Sequence, residues 1–243
     1  MYQRMLISGI DDATKCPCIG SIFVAGVVAD QKIIARWKKL GVKDSKLLTR
    51  KKRDELAQII QETAHAVAIH EIEPHMIDNK QLNLNEWEML IALRILHDLQ
   101  EIAVPQYAYI DNWETSPILF WERLRSMLSR DISQYISTTI NRERIYHTQL
   151  IPEHQADEKY VVVGAASILA KSFSDAQYDR YRKQYGDFGS GNPGDPATRH
   201  FVWKYRHNPL PIIRTSWHTY KVLSQLDRFE DDPLYKRKKK LAQ

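Results

Sequence analysis

The sequence predicts an α/β domain with a mixed β-sheet flanked by helices, followed by a small helical C-terminal lobe. Three observations carry this prediction. Short runs rich in Ile, Val and Phe alternate with longer stretches of helical periodicity, the pattern of a sheet covered by helices. The apolar share, 43% of 243 residues, is enough for one sizeable core. The last third of the chain is largely helical in pattern. No segment recurs at intervals of 20 to 50 residues, which argues against a solenoid.

The elements follow in order. Met5 to Ile10 and Ser21 to Val28 are apolar strand-like runs, and Gly9 and Gly20 bracket the polar segment between them. Thr49 stands as N-cap of a helix from Arg50 to about Ala64, with Leu56, Ile59 and Ile60 on one face. Ala66 to Ile72 alternates like a strand. Asn85 opens a helix carrying Met89, Leu90, Leu93 and Leu96. Tyr107 to Ile110 is a short strand running into Asp111. Ser116 caps a helix with Pro117 at its first position. Val161 to about Tyr185 reads as one long helix. Gly186 to Pro196 is a loop, and Asp195 caps a further helix with Pro196 in its first turn. The domain divisions expected are 1–185 for the α/β domain, 186–230 for the helical lobe and 231–243 for a basic, disordered tail.

The net charge is +5, and the run Lys236-Arg237-Lys238-Lys239-Lys240 holds five positive charges. Without it, the body balances 30 basic against 30 acidic residues, so the charge is a property of the tail. Such a tail is either a solvated terminus or an arm with salt-sensitive attraction to phosphate. No apolar run approaches the roughly 18 residues of a membrane span, and no signal-peptide pattern opens the chain. A cytoplasmic protein without membrane association is expected. Cys16 and Cys18 are too close to close a useful disulfide loop. They are read as reduced thiols.

Four carboxylates stand on or at the ends of core elements: Asp11 and Asp12 after the first strand, Asp111 after a later one, and Asp175 on the long helix. Converging carboxylates suit hard cations, which take oxygen ligands. Two such ions can activate water and stabilise a leaving oxygen in phosphodiester hydrolysis. Acids at strand ends are also common caps, and spacing alone leaves both readings open.

Several motifs occur in one order. They are Gly9-Ile10-Asp11-Asp12-Ala13 with Pro17 and Gly20; Gly41-Val42-Lys43-Asp44-Ser45-Lys46-Leu47-Leu48-Thr49; Ile77-Asp78 with Leu84-Asn85; and Tyr109-Ile110-Asp111. Next come Ala165-Ala166-Ser167-Ile168-Leu169-Ala170-Lys171 with Asp175; Tyr185-Gly186-Asp187-Phe188-Gly189-Ser190-Gly191 with Pro193 and Asp195-Pro196; and Arg214-x-Ser216-Trp217. Over residues 5 to 220 the set resembles ribonuclease HII in its archaeal form. The resemblance implies a ribonuclease H-like fold and a monomeric endonuclease. Its substrates would be RNA–DNA hybrids or ribonucleotide-containing DNA. It implies a two-metal site for Mg²⁺ or Mn²⁺ at Asp11, Asp12, Asp111 and Asp175. It also implies phosphate contacts for Lys43, Lys46 and Lys171, each of which could equally belong to a solvated basic face.

Three positions depart from the family pattern. Asp12 stands where Glu is usual and reaches about 1.5 Å less far. Thr14-Lys15-Cys16 replaces Gly-Arg-Gly, a turn that in the family offers backbone groups to the 2′-hydroxyl, the group that marks RNA. Thr14 is β-branched and is expected to resist positive φ; Lys15 lacks the guanidinium fork. Asn192 stands where the family has a Tyr that stacks on the sugar beyond the ribonucleotide. These changes lead to two readings: an active nuclease with altered ribonucleotide recognition, or a catalytically weak or inactive homologue that binds nucleic acid. Leu223 to Phe229 faintly resembles a sliding-clamp-binding box, against the simpler reading of a helix end packed on the body.

Overall fold

The computed structural model describes residues 5–43, 45–132, 135–136 and 140–241. Asp44 of the second motif lies outside the described residues, as do the side chains of Lys238, Lys239 and Lys240. The strands are β1 (Leu6–Ala13), β2 (Ile22–Asp30), β3 (Ala66–Ile72), β4 (Tyr107–Asp111) and β5 (Gln149–Glu153). The helices are α1 (Gln31–Leu40), α2 (Arg50–Thr63), α3 (Pro74–Asp78), α4 (Leu84–Ile102), α5 (Pro117–Ser129), α6 (Arg142–Ile145), α7 (Ala156–Lys159), α8 (Val161–Tyr185), α9 (Pro196–Lys204), α10 (His218–Leu223) and α11 (Pro233–Leu241).

The strands form one sheet in the order β3-β2-β1-β4-β5. β1 runs antiparallel to β2 and parallel to β4, and β4 runs parallel to β5, so the sheet is mixed as the sequence predicts. β2 is buried along its whole length, which explains its continuous apolar run. β5 contains Pro152 and lies at the sheet edge, where a missing N–H is tolerated; that proline kept it from reading as a strand. α1 has no counterpart among the elements the sequence pattern marks. Asp30 caps it through a bond from Ile33 N, and Gly41 at φ 90° ends it. α4 starts one residue before Asn85. Asn83 is its N-cap and forms a reciprocal capping box with Glu86.

The chain forms two compact units. The first comprises Met1–Ala13, Phe23–Glu71 and Leu82–Phe173, and the second Thr14–Ile22, Ile72–Gln81 and Ser174–Gln243. The helical lobe expected from 186 to 230 is therefore larger and assembled from three stretches. Backbone bonds from Gly20 N to Ile212 O (2.7 Å) and from Arg214 N to Cys18 O (3.0 Å) tie the first stretch to the last. Cys18, Ile19, Tyr178, Phe188, Phe201, Val202 and Ile212 share its core. The tail, expected to be disordered, instead continues into α11. Asp232 caps this helix through Leu234 N and pairs with Arg199 by two bonds of 2.6 Å in the interior.

The first unit packs α8 directly against β1. A Cβ built on Gly9 would lie 2.3 Å from the Val162 carbonyl carbon and oxygen, and 2.5 Å from Val163 N. Only hydrogen fits there, because the obstacle is backbone that no rotamer can move. Gly9→Ala is expected to destabilise the chain by about 3 kcal/mol or more, at the upper end for overpacking. A urea midpoint unchanged from the parent would show that α8 withdraws without penalty.

Candidate active site

β1 and β4 are parallel neighbours with Ile10 opposite Ile110. Asp11 and Asp111 therefore follow at the same level on adjacent strands, roughly 4.8 Å apart in the sheet. Asp11 is buried, with 4% of its surface exposed, and Asp12 and Asp111 are half-buried. The Asp12 N–H donates to Asp11 Oδ1 at 2.8 Å. Burial raises the Asp11 carboxyl well above the usual carboxylate range, and the charges of Asp12 and Asp111 push it further up; a hydrogen bond from Ser167 acts the other way. The Ser167 hydroxyl in turn lies 2.9 Å from that of Ser45. Arg53 Nη1 donates to the Ser45 carbonyl at 3.1 Å. The serines of two separate motifs thus meet behind the central acid and orient it.

A fourth acid enters from α7. Ala156 N donates to Asp111 Oδ1 at 2.9 Å, tying the start of this helix to β4. The next residue, Asp157, is 5% exposed, and its charge raises both Asp11 and Asp111. For Asp111, burial is the larger cause. Asp157 was not singled out in the sequence because Asp157-Glu158-Lys159 reads as an ordinary solvated charge run. Its one local signal is its place just before the helix that carries the Ala-Ala-Ser motif. Asp175, the acid the sequence put in fourth place, belongs to the second unit. The charges acting most strongly on Asp11 are those of Asp12, Asp111 and Asp157.

Among the described residues, no three His, Cys, Asp or Glu side chains are grouped tightly enough to form a finished metal cage. The donor set nonetheless fits a hard divalent cation. It consists of carboxylates whose charges raise the proton affinity of Asp11 and Asp111, and a cation among them would remove that repulsion. Lys46 Nζ lies 3.6 Å from Asp157 Oδ2 while 78% of its side chain stays exposed. That places a solvent-facing ammonium beside the cluster. Lys43 is exposed, and Lys171 is half-buried on α8.

The Thr14-Lys15-Cys16 turn belongs to the second unit. Thr14 takes φ 69°, the left-handed conformation open to glycine. The resistance expected of a β-branched residue is overcome here. A non-glycine residue there costs about 1–3 kcal/mol, and side-chain bonds hold it in place. Thr14 Oγ1 donates to the Ser21 carbonyl at 2.8 Å, while Arg214 donates to the Thr14 and Lys15 carbonyls, both at 2.8 Å. Thr14→Val keeps the strain and removes the hydroxyl, and is expected to cost about 1–2 kcal/mol. Thr14→Gly exchanges strain against the bond and should stay within about 1 kcal/mol of the parent. Urea unfolding measures both, and equal losses in the two variants would remove the hydroxyl from this account.

The loop after α8 is fastened at several points. Asp195 accepts from Ser190 N at 2.6 Å, Thr198 Oγ1 from Gly191 N at 2.9 Å, and the Gly191 carbonyl from Cys18 N at 2.9 Å. The Asn192 side chain at its tip is exposed. Cys16 is exposed and Cys18 buried, both as free thiols; burial pushes the Cys18 thiol up to about 11. In the clamp-box segment, Leu223 is wholly buried and Phe229 packs against His200, Trp203 and Tyr235. Phe229 itself is half-buried, and Gln225, Asp227 and Arg228 of the segment are exposed. Among the described residues, no helix is long and apolar enough to cross a membrane.

The sequence family described as Ribonuclease HII matches residues 8–220. The Ribonuclease HII of Pyrococcus furiosus is 38% identical over 224 residues, covering 91% of this chain and 92% of that one. Among solved structures, the ribonuclease H2 of Pyrococcus horikoshii OT3 is similar with a TM-score of 0.77 and 30% identity, covering 94% of this chain and all of that one. The PCNA:RNase HII complex of Archaeoglobus fulgidus gives a TM-score of 0.72 at 32% identity, covering 90% and 97%.

Proposed function

The chain belongs to the ribonuclease HII family, and from that membership we propose that it is a metal-dependent endonuclease that hydrolyses the RNA strand of RNA–DNA duplexes at Asp11, Asp12, Asp111 and Asp157. The observation that carries the assignment of residues is the buried Asp11, acted on by three neighbouring carboxylates and held by Ser167. Two Mg²⁺ or Mn²⁺ ions, when bound, supply an activated water and charge stabilisation for the leaving 3′-oxygen. Asp11 and Asp111 present their carboxylates from the ends of adjacent strands, Asp157 from the start of α7, and Asp12 from the strand end at shorter reach than Glu. Lys46, and Lys43 three residues before it, attract the phosphate backbone; Lys171 is assigned the same role from α8. The Thr14-Lys15-Cys16 turn reads the ribose in the conformation its glycine counterpart would have. Recognition is altered at Asn192, which supplies no ring for the adjoining sugar.

PCNA is the partner of the Archaeoglobus fulgidus relative. A sliding clamp that bound this chain through Leu223–Phe229 would have to draw a buried leucine from the core. A sliding clamp is a possible partner of this chain as well, and a contact at this segment in its folded form would use its exposed Gln225, Asp227 and Arg228. The test of function is cleavage of a continuous RNA–DNA hybrid, and of a DNA duplex with one ribonucleotide, with Mg²⁺ or Mn²⁺. Metal-dependent cutting lost in Asp11→Asn is the expected result. Tight binding with no cutting under either metal would favour the inactive, nucleic-acid-binding reading.

A further inference from the structure

Two motifs have no role in the assignment above: Ile77-Asp78 and Arg214-x-Ser216-Trp217. Both belong to the second unit, together with the Thr14-Lys15-Cys16 turn. Arg214 is fully buried, and each of its three guanidinium nitrogens donates to a main-chain oxygen. Nη2 donates to the Thr14 carbonyl at 2.8 Å, Nη1 to that of Lys15 at 2.8 Å and Nε to that of Gly20 at 2.7 Å. The Trp217 ring lies 4.8 Å from the guanidinium carbon, and its Nε1 donates to the Cys16 carbonyl at 3.2 Å. Three consecutive carbonyls of the turn are thus held by two side chains. Asp78 holds the residues between those two. Its Oδ2 accepts from Thr215 N and Oγ1, both at 2.7 Å, and its Oδ1 accepts from Ser216 N at 2.9 Å and Oγ at 2.6 Å.

In a trans peptide, the carbonyl and the N–H that follows it point in opposite directions, and the described chain contains no cis peptide. Holding the Thr14 and Lys15 carbonyls toward Arg214 therefore turns the N–H groups of Lys15 and Cys16 away from it. We infer that Asp78 and Arg214 form a positioning relay that sets the direction of these two N–H groups, and with it the preference of the nuclease for ribose over deoxyribose. The inference rests on the proposed role of the turn in reading the 2′-hydroxyl. Both act through the backbone of the turn. The relay also accounts for a threonine at φ 69°, since the carbonyl bonds impose the turn whatever side chain stands there.

The experiment measures dissociation constants of the full chain for an RNA–DNA hybrid and for a DNA duplex of the same sequence, with Ca²⁺ replacing the catalytic metal. Asp78→Asn is expected to weaken hybrid binding about tenfold and leave DNA binding unchanged, a loss of one to two hydrogen bonds' worth of discrimination. Asp232→Asn is the control: it breaks the buried pair with Arg199 in the same unit and lowers thermal stability, and should leave the binding ratio as it was. Trp217→Phe keeps a ring over Arg214, removes only the bond to Cys16, and should reduce the ratio by about threefold; it carries the test if Asp78→Asn does not fold. A ratio unchanged in Asp78→Asn and Trp217→Phe, or reduced equally in Asp232→Asn, overturns the relay. A parent chain that cleaves hybrids but shows no binding preference overturns the reading role of the turn and the relay with it, leaving the nuclease assignment intact. A parent that neither binds nor cleaves overturns both.

Discussion

Asp157→Asn is expected to abolish cleavage of an RNA–DNA hybrid, by at least about a thousandfold in kcat, while Asp175→Asn keeps most of it. The two substitutions are isosteric and each removes one charge, so the difference between them reports position. Asp157 is nearly buried, sits one residue after the N–H that binds Asp111, and acts electrostatically on Asp11 and Asp111. Removing its charge takes away one of the four carboxylates proposed to hold the ions. It also frees Lys46 from its 3.6 Å partner. The fold should survive, because Asn fills the same volume. The measurement is single-turnover cleavage at saturating Mg²⁺ and again at saturating Mn²⁺. Full activity in Asp157→Asn with loss in Asp175→Asn would restore the assignment expected from the sequence.

Asn192→Tyr is expected to raise kcat/KM on a DNA duplex with one embedded ribonucleotide by about tenfold relative to a continuous hybrid. The parent chain is expected to favour the continuous hybrid. An aromatic ring stacked on a nucleic-acid group contributes about 1–3 kcal/mol, and an asparagine amide contributes none of it. The loop can accept the ring. Asn192 is exposed, and the backbone on its N-terminal side is pinned through Gly191 to Thr198 and Cys18. The new side chain therefore enters solvent from a fixed base, without a change in packing. If the parent already cuts a lone ribonucleotide as efficiently as a long hybrid, Asn192 is not a defect in substrate reading.

By itself the sequence determined the mixed α/β class and most of the strands and long helices, and it named three of the acids proposed here for the site. These features are local or repeat at short intervals. The continuous apolar run of β2 reflects burial of its whole length, Thr49 and Ser116 cap the helices they precede, and Asp11, Asp12 and Asp111 complete the strands that end beside them. The tertiary structure alone decided what depends on residues far apart in the chain. Asp157 looks like a surface charge in its own segment and becomes a candidate for the site only through the bond of Ala156 to Asp111. Thr14 looks unfit for a glycine turn and is held in it by Arg214, 200 residues away. The basic tail looks disordered by composition and is anchored as a helix by the buried pair of Asp232 with Arg199. Side-chain periodicity reports which face of an element is buried; it carries no record of the partner, and a buried hydrogen bond or ion pair between distant stretches is strong enough to override local preference.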